Sequence, residues 1–406
     1  MKQNCRLPPV FCLLQPMEKM LDLALAVGLF GLLTSTVYTG MALMGVLRFH
    51  RRRLHHSPVS FMPSVSLLKP LHGAEPGLEA HLATFFEQDY PTYEILFCAR
   101  QLNDAGLEIA RRVAARYPHI PVQFLSSGEP TVPNAKLLSL ELMAQRAKYS
   151  IFIISDSDVR VDPSYLREVV APFAEQHVGV VTCLYRGAAT QGGFWSRLEA
   201  TAMSIEMTSG VLVADMLEGM KFALGPTMAI RRDCLQEIGG FLPLGDYCSD
   251  DFLLGNRVDA LGHTVVLSDH VIDHVVLHAS FWPSMQHQAR WMKSTRFSRP
   301  KGHFGTALTF SVPFGILSAI AACWLHKPLL ALAALLWSVA TRMFLAAVVS
   351  CYVLREKSPW QSVLLYPARD LLGLVFWIAS YGSRKILWRN ETYVLEKEGR
   401  MRRQRA

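Results

Sequence analysis

Two aspartates follow an apolar run near the middle of the chain. Asp156 and Asp158 alternate with Ser155 and Ser157, directly after the apolar segment 150–155. In an extended chain, residues two apart point the same way, so the two carboxylates could hold a hard divalent cation together with a diphosphate. A solvated turn is the alternative, because Asp and Ser favour turns.

A cation precedes this pair in the sequence and favours the interpretation as a metal and diphosphate site. Pro133-Asn134-Ala135-Lys136 comes just before a predicted helix that returns the chain to the start of the apolar run. The ammonium group of Lys136 is therefore expected on the same side as the two carboxylates.

A second group of acids precedes the start of an apolar helix. Asp246, Asp250 and Asp251 lie in the segment Gly245-Asp246-Tyr247-Cys248-Ser249-Asp250-Asp251-Phe252. Ser249 or Asp250 could simply cap the helix. Asp251 differs if it points into a cleft, because a carboxylate beside a sugar acceptor could take a hydroxyl proton as a general base.

Arg290 and Trp291 end the segment Gln286-His287-Gln288-Ala289-Arg290-Trp291, just before a long apolar region. A guanidinium group binds phosphate through two parallel hydrogen bonds, and an aromatic face can pack on a sugar or a lipid chain. The alternative is an Arg–Trp pair that sits at the headgroup level of a membrane.

The elements that would position these residues alternate between strands and helices. The apolar pattern predicts strands at 65–68, 93–99, 122–125 and 150–155, and helices at 78–88, 106–117 and 136–149. Such alternation predicts a parallel sheet with helices on both faces. Ligands of these sheets bind beyond the carboxyl ends of the strands, which is where Asp156 and Asp158 would lie.

The composition separates this α/β region from its surroundings. Of the 406 residues, 51% are hydrophobic and 18% are charged, whereas soluble domains average about 25% charged residues. Disordered, collagen-like and coiled-coil proteins are therefore excluded. The length suits one domain of about 250 residues with membrane anchors. The net charge of +8 fits binding to nucleic acid, to an anionic membrane or to a phosphorylated substrate. Where the charged residues lie along the chain decides among these partners.

The N-terminal anchor is predicted at 21–48, because the run 23–47 has no charged residue and is long enough to cross a bilayer. A signal peptide is the alternative, but its apolar region would be only about 7 to 15 residues long. The basic collar that follows marks the cytosolic side and consists of Arg48, His50, Arg51, Arg52, Arg53, His55 and His56. The extension 1–20 is then expected outside, and the domain at 60–300 in the cytosol.

The C-terminal quarter is predicted to hold a hairpin of two spans, 305–325 and 329–354. Arg342 inside the second span should face protein, a headgroup or a cavity. The stretch 360–383 contains Arg369 and Asp370 and is followed by a basic tail at 384–406. If this stretch spanned the membrane, the tail would lie outside, against the positive-inside rule. It is therefore predicted to be interfacial or re-entrant, with the tail in the cytosol.

Two further observations narrow the classes of function. The basic clusters flank the apolar segments, which favours membrane topology and anionic headgroups over nucleic acid binding. The eight cysteines have no Cys-x-x-Cys spacing, which predicts neither a zinc site nor a disulfide framework and fits a reducing compartment. They are Cys5, Cys12, Cys98, Cys183, Cys234, Cys248, Cys323 and Cys351.

Taken in order, these segments resemble the membrane-bound family 2 and family 21 glycosyltransferases, most closely the ceramide glucosyltransferase-like proteins and their hopanoid-associated bacterial relatives. The resemblance extends over about 65–299. It is carried by Leu68-Lys69-Pro70-Leu71-His72-Gly73, Phe86-Glu87-Gln88-Asp89-Tyr90-Pro91, Asn103-Asp104, Asn134-Ala135-Lys136, Ser155-Asp156-Ser157-Asp158-Val159-Arg160-Val161, Gly225-Pro226-Thr227-Met228-Ala229, Gly239-Gly240-Phe241, Asp250-Asp251-Phe252-Leu253-Leu254-Gly255 and Arg290-Trp291.

The resemblance implies a glycosyltransferase A-type domain that binds a nucleotide sugar. In it, Asp104 would contact the uracil of a UDP-sugar, with a helix cap before Gly106 as the alternative. Asp156 and Asp158 would form the family's acidic triplet, with Asp158 as the direct ligand of Mg²⁺ or Mn²⁺. Asp251 would be the catalytic base.

The remaining site residues are also implied by the resemblance. Lys69 and Lys136 are expected on the donor side of the site. Arg290 and Trp291 would end a Gln-x-x-Arg-Trp motif that closes the donor and acceptor pocket. His287 stands where Gln or Arg is usual in that motif, so it either replaces that residue's contact with the acceptor or is a bystander.

The implied reaction is the inverting transfer of a hexose, most simply glucose, from a UDP-sugar to the hydroxyl headgroup of a membrane lipid. Transfer of N-acetylglucosamine to a hopanoid polyol, a processive polysaccharide synthase and a non-catalytic sensor are the alternatives. The expected partners are a UDP-sugar, a lipid acceptor and the bilayer, with no nucleic acid and no obligate protein partner. The expected location is a membrane crossed several times, the bacterial inner membrane, with the catalytic domain in the cytosol.

Overall fold

The structure is a computed structural model that describes residues 9–54, 61–388 and 391–404, with side chains from residue 17 onward. Residues 1–8 of the extension predicted at 1–20, the end of the basic collar at His55 and His56, and Arg389 and Arg405 of the predicted tail lie outside the described residues.

An eight-stranded mixed sheet forms the centre of the α/β domain, in the order β3-β2-β1-β4-β7-β6-β8-β5. The pairs β1–β2, β1–β4, β2–β3 and β6–β8 are parallel, and β7 runs antiparallel between β4 and β6. The strands are β1 (Val65–Pro70), β2 (Tyr93–Ala99), β3 (Val122–Ser126), β4 (Ile151–Ser155), β5 (Val159–Arg160), β6 (Val178–Ala188), β7 (Thr227–Arg231) and β8 (Thr264–Val275).

Helices connect these strands and cover the sheet. They are α2 (Leu78–Phe86), α3 (Ala105–Ala114), α4 (Ala135–Arg146), α5 (Tyr165–Val170), α6 (Phe194–Thr201), α7 (Thr208–Glu218), α8 (Arg232–Glu237), α9 (Asp250–Ala260) and α10 (Phe281–Ser298). Every residue of β2 and β4 is buried. Because successive side chains of a strand point to opposite faces, both faces of the sheet are covered. The four strands predicted from the apolar pattern are confirmed, and so are the three helices that follow the first three of them.

Long apolar helices lie at both ends of the chain, as the sequence predicts. The N-terminal helix α1 (Pro9–Leu54) is followed, after the α/β domain, by α11 (Pro300–Thr306), α12 (Val312–Trp324), α13 (Pro328–Val348) and α14 (Pro359–Ala379). In the described part of the chain, three helices are long and apolar enough to cross a membrane, at Met17–Leu54, Pro328–Leu354 and Pro359–Ala379. The bent pair α11 and α12 is a fourth candidate.

The segment predicted as one span at 305–325 is broken. Its two helical parts, Pro300–Thr309 and Val312–Trp324, meet at 47°. The carboxylate of Asp370 accepts hydrogen bonds from the backbone N–H groups of Ser311 and Val312 at 2.8 and 2.7 Å. Because these donors begin α12, the acid of a distant helix caps a new helix here, and the chain does not continue straight from α11.

The charges inside the apolar region pair with each other and with polar groups of neighbouring helices. Arg342 on α13 lies 3.6 Å from Asp370 and donates to Thr39 on α1 at 2.7 Å. Arg369 pairs with Glu206, which precedes α7, at 2.9 Å. The prediction that Arg342 faces protein agrees with this placement, because only buried partners offset the cost of such charges.

The segments on either side of α14 contact the α/β domain. The backbone oxygen of Leu354, the last residue of the helical segment before α14, accepts from Arg186 on β6 at 2.9 Å, and just after α14 the oxygen of Ser380 accepts from Arg296 on α10 at 2.6 Å. One face of α14 is exposed and apolar, and consists of Trp360, Leu364, Leu371, Val375 and Ile378. Because α14 is also long and apolar enough to cross a membrane, the interfacial or re-entrant placement of 360–383 stays a prediction.

The region predicted as a basic tail at 384–406 is folded instead. It forms a small antiparallel sheet of β9 (Lys385–Trp388), β10 (Glu391–Leu395) and β11 (Met401–Arg403). Ile386, Tyr393, Leu395 and Met401 form its own small core. The described arginines of this region, Arg384, Arg400, Arg402 and Arg403, are exposed. Arg403 pairs with Glu391 at 2.7 Å.

Candidate active site

A cavity of about 600 Å³ opens beyond the carboxyl end of β4. It brings together residues that are far apart in the sequence and come from β4, α4, α9 and α10. The predicted site residues that line it are Lys136, Asp156, Asp158, Asp251, His287, Arg290 and Trp291. This is the edge at which parallel sheets bind ligands.

Asp158 is partly buried at this edge, and one of its oxygens lacks a partner. Its Oδ2 lies 3.1 Å from His274 Nε2 on β8, while Oδ1 has no hydrogen bond. Burial alone would raise the pKa of Asp158, but the nearby charges of His274 and Lys69 outweigh it and lower the pKa to about 2. Asp158 is therefore an ionised carboxylate with one oxygen available for a ligand.

Asp156 faces the cavity and is paired with Lys136. The Lys136 Nζ lies 2.6 Å from Asp156 Oδ1. Burial alone would lower the pKa of Lys136, but Asp156 and Asp250 outweigh burial and raise it. Lys136 is thus a fixed cation beside the two carboxylates, as the sequence predicts.

These groups fit a divalent metal ion that is shared with a diphosphate. In residues 9–54, 61–388 and 391–404, no group of three or more His, Cys, Asp or Glu side chains could hold a metal alone. Two neighbouring carboxylates, one with an unpartnered buried oxygen, match Mg²⁺ or Mn²⁺ held by protein oxygens on one side and by phosphate oxygens on the other.

Lys69, which was predicted on the donor side, is not among the residues that line this cavity. Its side chain is fully buried beneath the strand ends, and its Nζ donates to the backbone oxygen of Asp156 at 2.6 Å. It also lies 3.7 Å from the centre of the Phe85 ring. Lys69 therefore supports the chain that carries Asp156 and Asp158 from below.

Asp104 also lies outside the lining of the cavity. Its Oδ1 accepts from the N–H groups of Gly106 at 2.7 Å and of Gly73 at 3.0 Å. It thus caps α3, which is the alternative reading of this residue, and ties α3 to the loop after β1. The predicted contact of Asp104 with a uracil stays a prediction.

Asp251 begins α9 and is held by two backbone donors. Its Oδ2 accepts from Gly225 N–H and its Oδ1 from Phe252 N–H, at 2.7 and 2.8 Å. A Cβ at position 225 would lie 3.0 Å from Asp251 Oδ2, so glycine permits this close approach. Burial and the neighbouring charge of Asp250 raise the pKa of Asp251 to about 6, which suits a general base near neutral pH.

The aromatic and basic groups of α10 form the opposite wall of the cavity. Arg290 lies 5.8 Å from the centre of the Trp388 ring. The ring centre of His287 lies 4.4 Å from that of Trp291 and 4.8 Å from that of His278. The predicted Arg–Trp motif is therefore part of the cavity wall rather than a membrane anchor.

Several lining residues were not predicted from the sequence. Trp388 and Leu387 of β9 close the cavity, because the C-terminal sheet docks on the loop before α9, where Arg400 pairs with Asp246 at 2.9 Å. The short apolar runs Ile386–Trp388 and Tyr393–Leu395 were a strand signal within the basic tail. His274 carried no such signal, since its spacing from Asp158 appears only once β5 and β8 pair.

Comparison with known proteins gives a consistent set of relatives. The family model described as "Glycosyl transferase family 21" matches residues 28–401. Ceramide glucosyltransferase 1 of Caenorhabditis elegans is 23% identical over 359 residues, which cover 86% of this chain and 76% of that protein. Ceramide glucosyltransferase of Komagataella phaffii is 32% identical over 118 residues, which cover 28% of this chain and 23% of that protein.

Among solved structures, the mannosyltransferase PcManGT from Pyrobaculum calidifontis, in complex with GDP-Man and Mn²⁺, matches with a TM-score of 0.48 and 18% identity. The match covers 86% of this chain and 98% of that one. A structure of Staphylococcus aureus TarS with UDP-GlcNAc matches with a TM-score of 0.39 and 14% identity, covering 84% of this chain and 99% of that chain.

Proposed function

Because the chain belongs to glycosyl transferase family 21, we propose that it transfers a hexose, glucose in the first instance, from a UDP-sugar to a hydroxyl group of a membrane lipid. The curated relatives are ceramide glucosyltransferases, which supports a lipid acceptor and a glucosyl donor. The observation that carries the proposal is the cavity itself, which places the Asp156 and Asp158 carboxylates, Lys136, Asp251 and the Arg290-Trp291 wall around one space.

In the proposed reaction, Asp251 takes the proton of the acceptor hydroxyl. The hydroxyl oxygen forms a bond to the anomeric carbon as the bond from that carbon to the diphosphate oxygen breaks, and UDP leaves with the electron pair. Attack from the face opposite UDP inverts the configuration, so an α-linked donor gives a β-glycoside. The backbone donors at Gly225 and Phe252 fix the Asp251 carboxylate in one orientation, which serves this positioning.

The donor diphosphate would bind beside Lys136 and the two carboxylates. Asp158 and Asp156 would hold Mg²⁺ or Mn²⁺, which neutralises charge on the departing diphosphate when bound. Lys136 adds a fixed positive charge, and Arg290 offers a guanidinium fork on the facing wall. Lys69 stays below the site and holds the Asp156 backbone in place.

The surroundings of the cavity support an acceptor that arrives from the membrane. An aromatic cluster of Phe194, Trp195, Phe281 and Trp282 stands at the starts of α6 and α10, with successive ring centres 4.9, 4.6 and 5.0 Å apart. Trp282 is 70% exposed, and the next residue, Pro283, lines the cavity. Exposed tryptophans of membrane proteins favour the interface between water and lipid.

The proposed topology follows from the same elements. α1, α12 and α13 form the membrane-inserted part, α14 lies in the interface with its apolar face toward lipid, and the α/β domain lies in the cytosol with the C-terminal sheet.

The experiment that tests the function measures UDP release by the purified protein on addition of lipid acceptors, together with mass spectrometry of the lipid product. Glycosylation of no lipid from the native membrane, despite donor binding, would overturn it.

A further inference from the structure

A buried carboxylate lies behind the acceptor side of the cavity and has no role in the proposed chemistry. Glu199 on α6 is 1% exposed. Its Oε1 lies 2.7 Å from His287 Nδ1, and its Oε2 accepts from the Ser284 hydroxyl. Gln288 Nε2 in turn donates to that hydroxyl at 3.0 Å. Both oxygens of this buried carboxyl group are therefore hydrogen-bonded to side chains on one face of α10.

The carboxylate determines which ring nitrogen of His287 carries the proton. Burial, aided by the charge of Arg290, lowers the pKa of His287, although the hydrogen bond to Glu199 opposes this. The neutral imidazole has one N–H group and one lone pair. The hydrogen bond from Nδ1 to Glu199 Oε1 assigns the proton to Nδ1, so Nε2 carries the lone pair.

The ring itself is confined by its neighbours. His278 packs edge-on against it and Trp291 lies at a tilt of 53°, and all three side chains line the cavity. Nδ1 is committed to Glu199, so Nε2 is the ring nitrogen left for a ligand. A hydrogen-bond acceptor on this wall matches the hydroxyl groups of a lipid headgroup, which are donors.

We propose that Glu199 is a positioning residue that holds the His287 imidazole with Nε2 toward the cavity, where Nε2 accepts a hydrogen bond from a hydroxyl of the lipid acceptor. The inference rests on the proposed function. It also explains how His287 can replace the glutamine that is usual at the first position of the Gln-x-x-Arg-Trp motif. A glutamine side chain has its own hydrogen-bond acceptor atom, and here the pair Glu199 and His287 supplies one.

The test is a double comparison of variants. Glu199→Leu keeps the approximate size of the side chain and removes the acceptor, whereas Glu199→Gln keeps a carbonyl oxygen. For Glu199→Leu, kcat/KM for the lipid should fall about tenfold or more, the scale of one lost hydrogen bond that leaves its partner unpaired. For Glu199→Gln, kcat/KM for the lipid should fall much less. The KM for the UDP-sugar and the slow hydrolysis of donor without acceptor should stay as in the wild type.

Two backgrounds separate positioning from a structural role. In a His287→Gln background the glutamine oxygen needs no support, so Glu199→Leu should cause little further loss. Ser284→Ala is the matched control, because it removes the second hydrogen bond of Glu199 and leaves its bond to His287. It should keep the wild-type acceptor KM. If Glu199→Leu is not recovered as folded protein, the same comparison is made with Glu199→Gln. Its smaller loss of kcat/KM for the lipid must then occur when residue 287 is histidine and be absent when it is glutamine.

The outcomes are distinct. The positioning role would be overturned if Glu199→Leu lowered kcat/KM for the lipid equally in the wild-type and His287→Gln backgrounds. It would also be overturned if kcat/KM fell equally for the UDP-sugar and for the lipid. If the wild type glycosylates lipid but Glu199→Leu does so with unchanged kinetics, only this inference fails. If the wild type binds UDP-sugar but glycosylates no lipid, the proposed function fails first.

Discussion

Asp251 Oδ2 accepts a hydrogen bond from the backbone N–H of Gly225 at 2.7 Å, which ties the start of α9 to the loop before β7. This contact turns a residue at a helix start toward the cavity. It also explains the glycine, because a Cβ at position 225 would lie only 3.0 Å from the carboxylate oxygen.

The pH dependence of the reaction should follow Asp251. Its pKa of about 6 is above the ordinary value because of burial and the charge of Asp250. A general base must be ionised, so kcat/KM for the acceptor should rise with pH through about 6 and level off above it. At pH 5 it should be roughly a tenth of its plateau. Initial rates between pH 5 and 8 check this, and a flat profile below pH 6 would contradict it.

The two lysines near the carboxylates should differ in what their loss does. Lys69→Met removes the buried donor to the Asp156 carbonyl, so the free energy of unfolding of the ligand-free protein should fall by about 1–3 kcal/mol. Lys136→Met, at the cavity surface, should mainly raise the KM for the UDP-sugar. Thermal or chemical denaturation and donor kinetics separate the two. If Lys69→Met unfolded like the wild type while its donor KM rose, Lys69 would contact the donor after all.

Metal removal should act through the donor. Chelation by EDTA, followed by return of Mg²⁺ or Mn²⁺, should abolish and restore transfer, because Asp156 and Asp158 need a cation to hold a diphosphate. Asp158→Ala should weaken UDP-sugar binding and remove its dependence on metal. Calorimetric titration of UDP-sugar with and without metal measures this. Donor affinity that is the same in both conditions for the wild type would exclude the metal site.

The aromatic cluster should matter for acceptors in a bilayer and little for soluble ones. Trp282→Ala should raise the apparent KM for lipid in vesicles on the order of tenfold, about 1.4 kcal/mol of lost apolar burial. The KM for a short-chain, water-soluble acceptor should stay unchanged. Trp324→Ala, an exposed tryptophan at the far end of α12, is the matched control. Equal effects of Trp282→Ala on both acceptors would place this residue in the site instead of the interface.

The sequence predicts the local elements and the charged residues at strand ends better than the side-chain directions. Asp156, Asp158 and Asp251 follow from apolar runs that end in acids, and the sheet edge brings them together. Lys69 looks equally polar in the sequence, yet its chain turns it under the strand ends, and only the packing against Phe85 shows this. Asp104 was ambiguous because a cap and a ligand contact use the same carboxylate.

The other features that the sequence did not predict depend on contacts between residues far apart in the chain. The break between α11 and α12 depends on Asp370, about sixty positions later in the chain, and no local pattern contains it. The C-terminal sheet is stabilised by its contact with the loop that contains Asp246. Its strands are short and lie among many charged residues, so the sequence alone predicts a charged tail. Glu199 lies in a short helix whose partners on α10 are more than eighty residues away.

The most direct test of the central claim is lipid-dependent UDP release by the purified protein in nanodiscs, with mass spectrometry of the lipid. The wild type should release UDP much faster with a hydroxylated lipid than without one and should add a single hexose to that lipid. Asp251→Asn should bind UDP-sugar normally but lose roughly 100- to 10,000-fold in turnover, while Asp259→Asn at the other end of α9 should behave as the wild type. Normal turnover by Asp251→Asn, or UDP release that does not depend on lipid, would contradict the account.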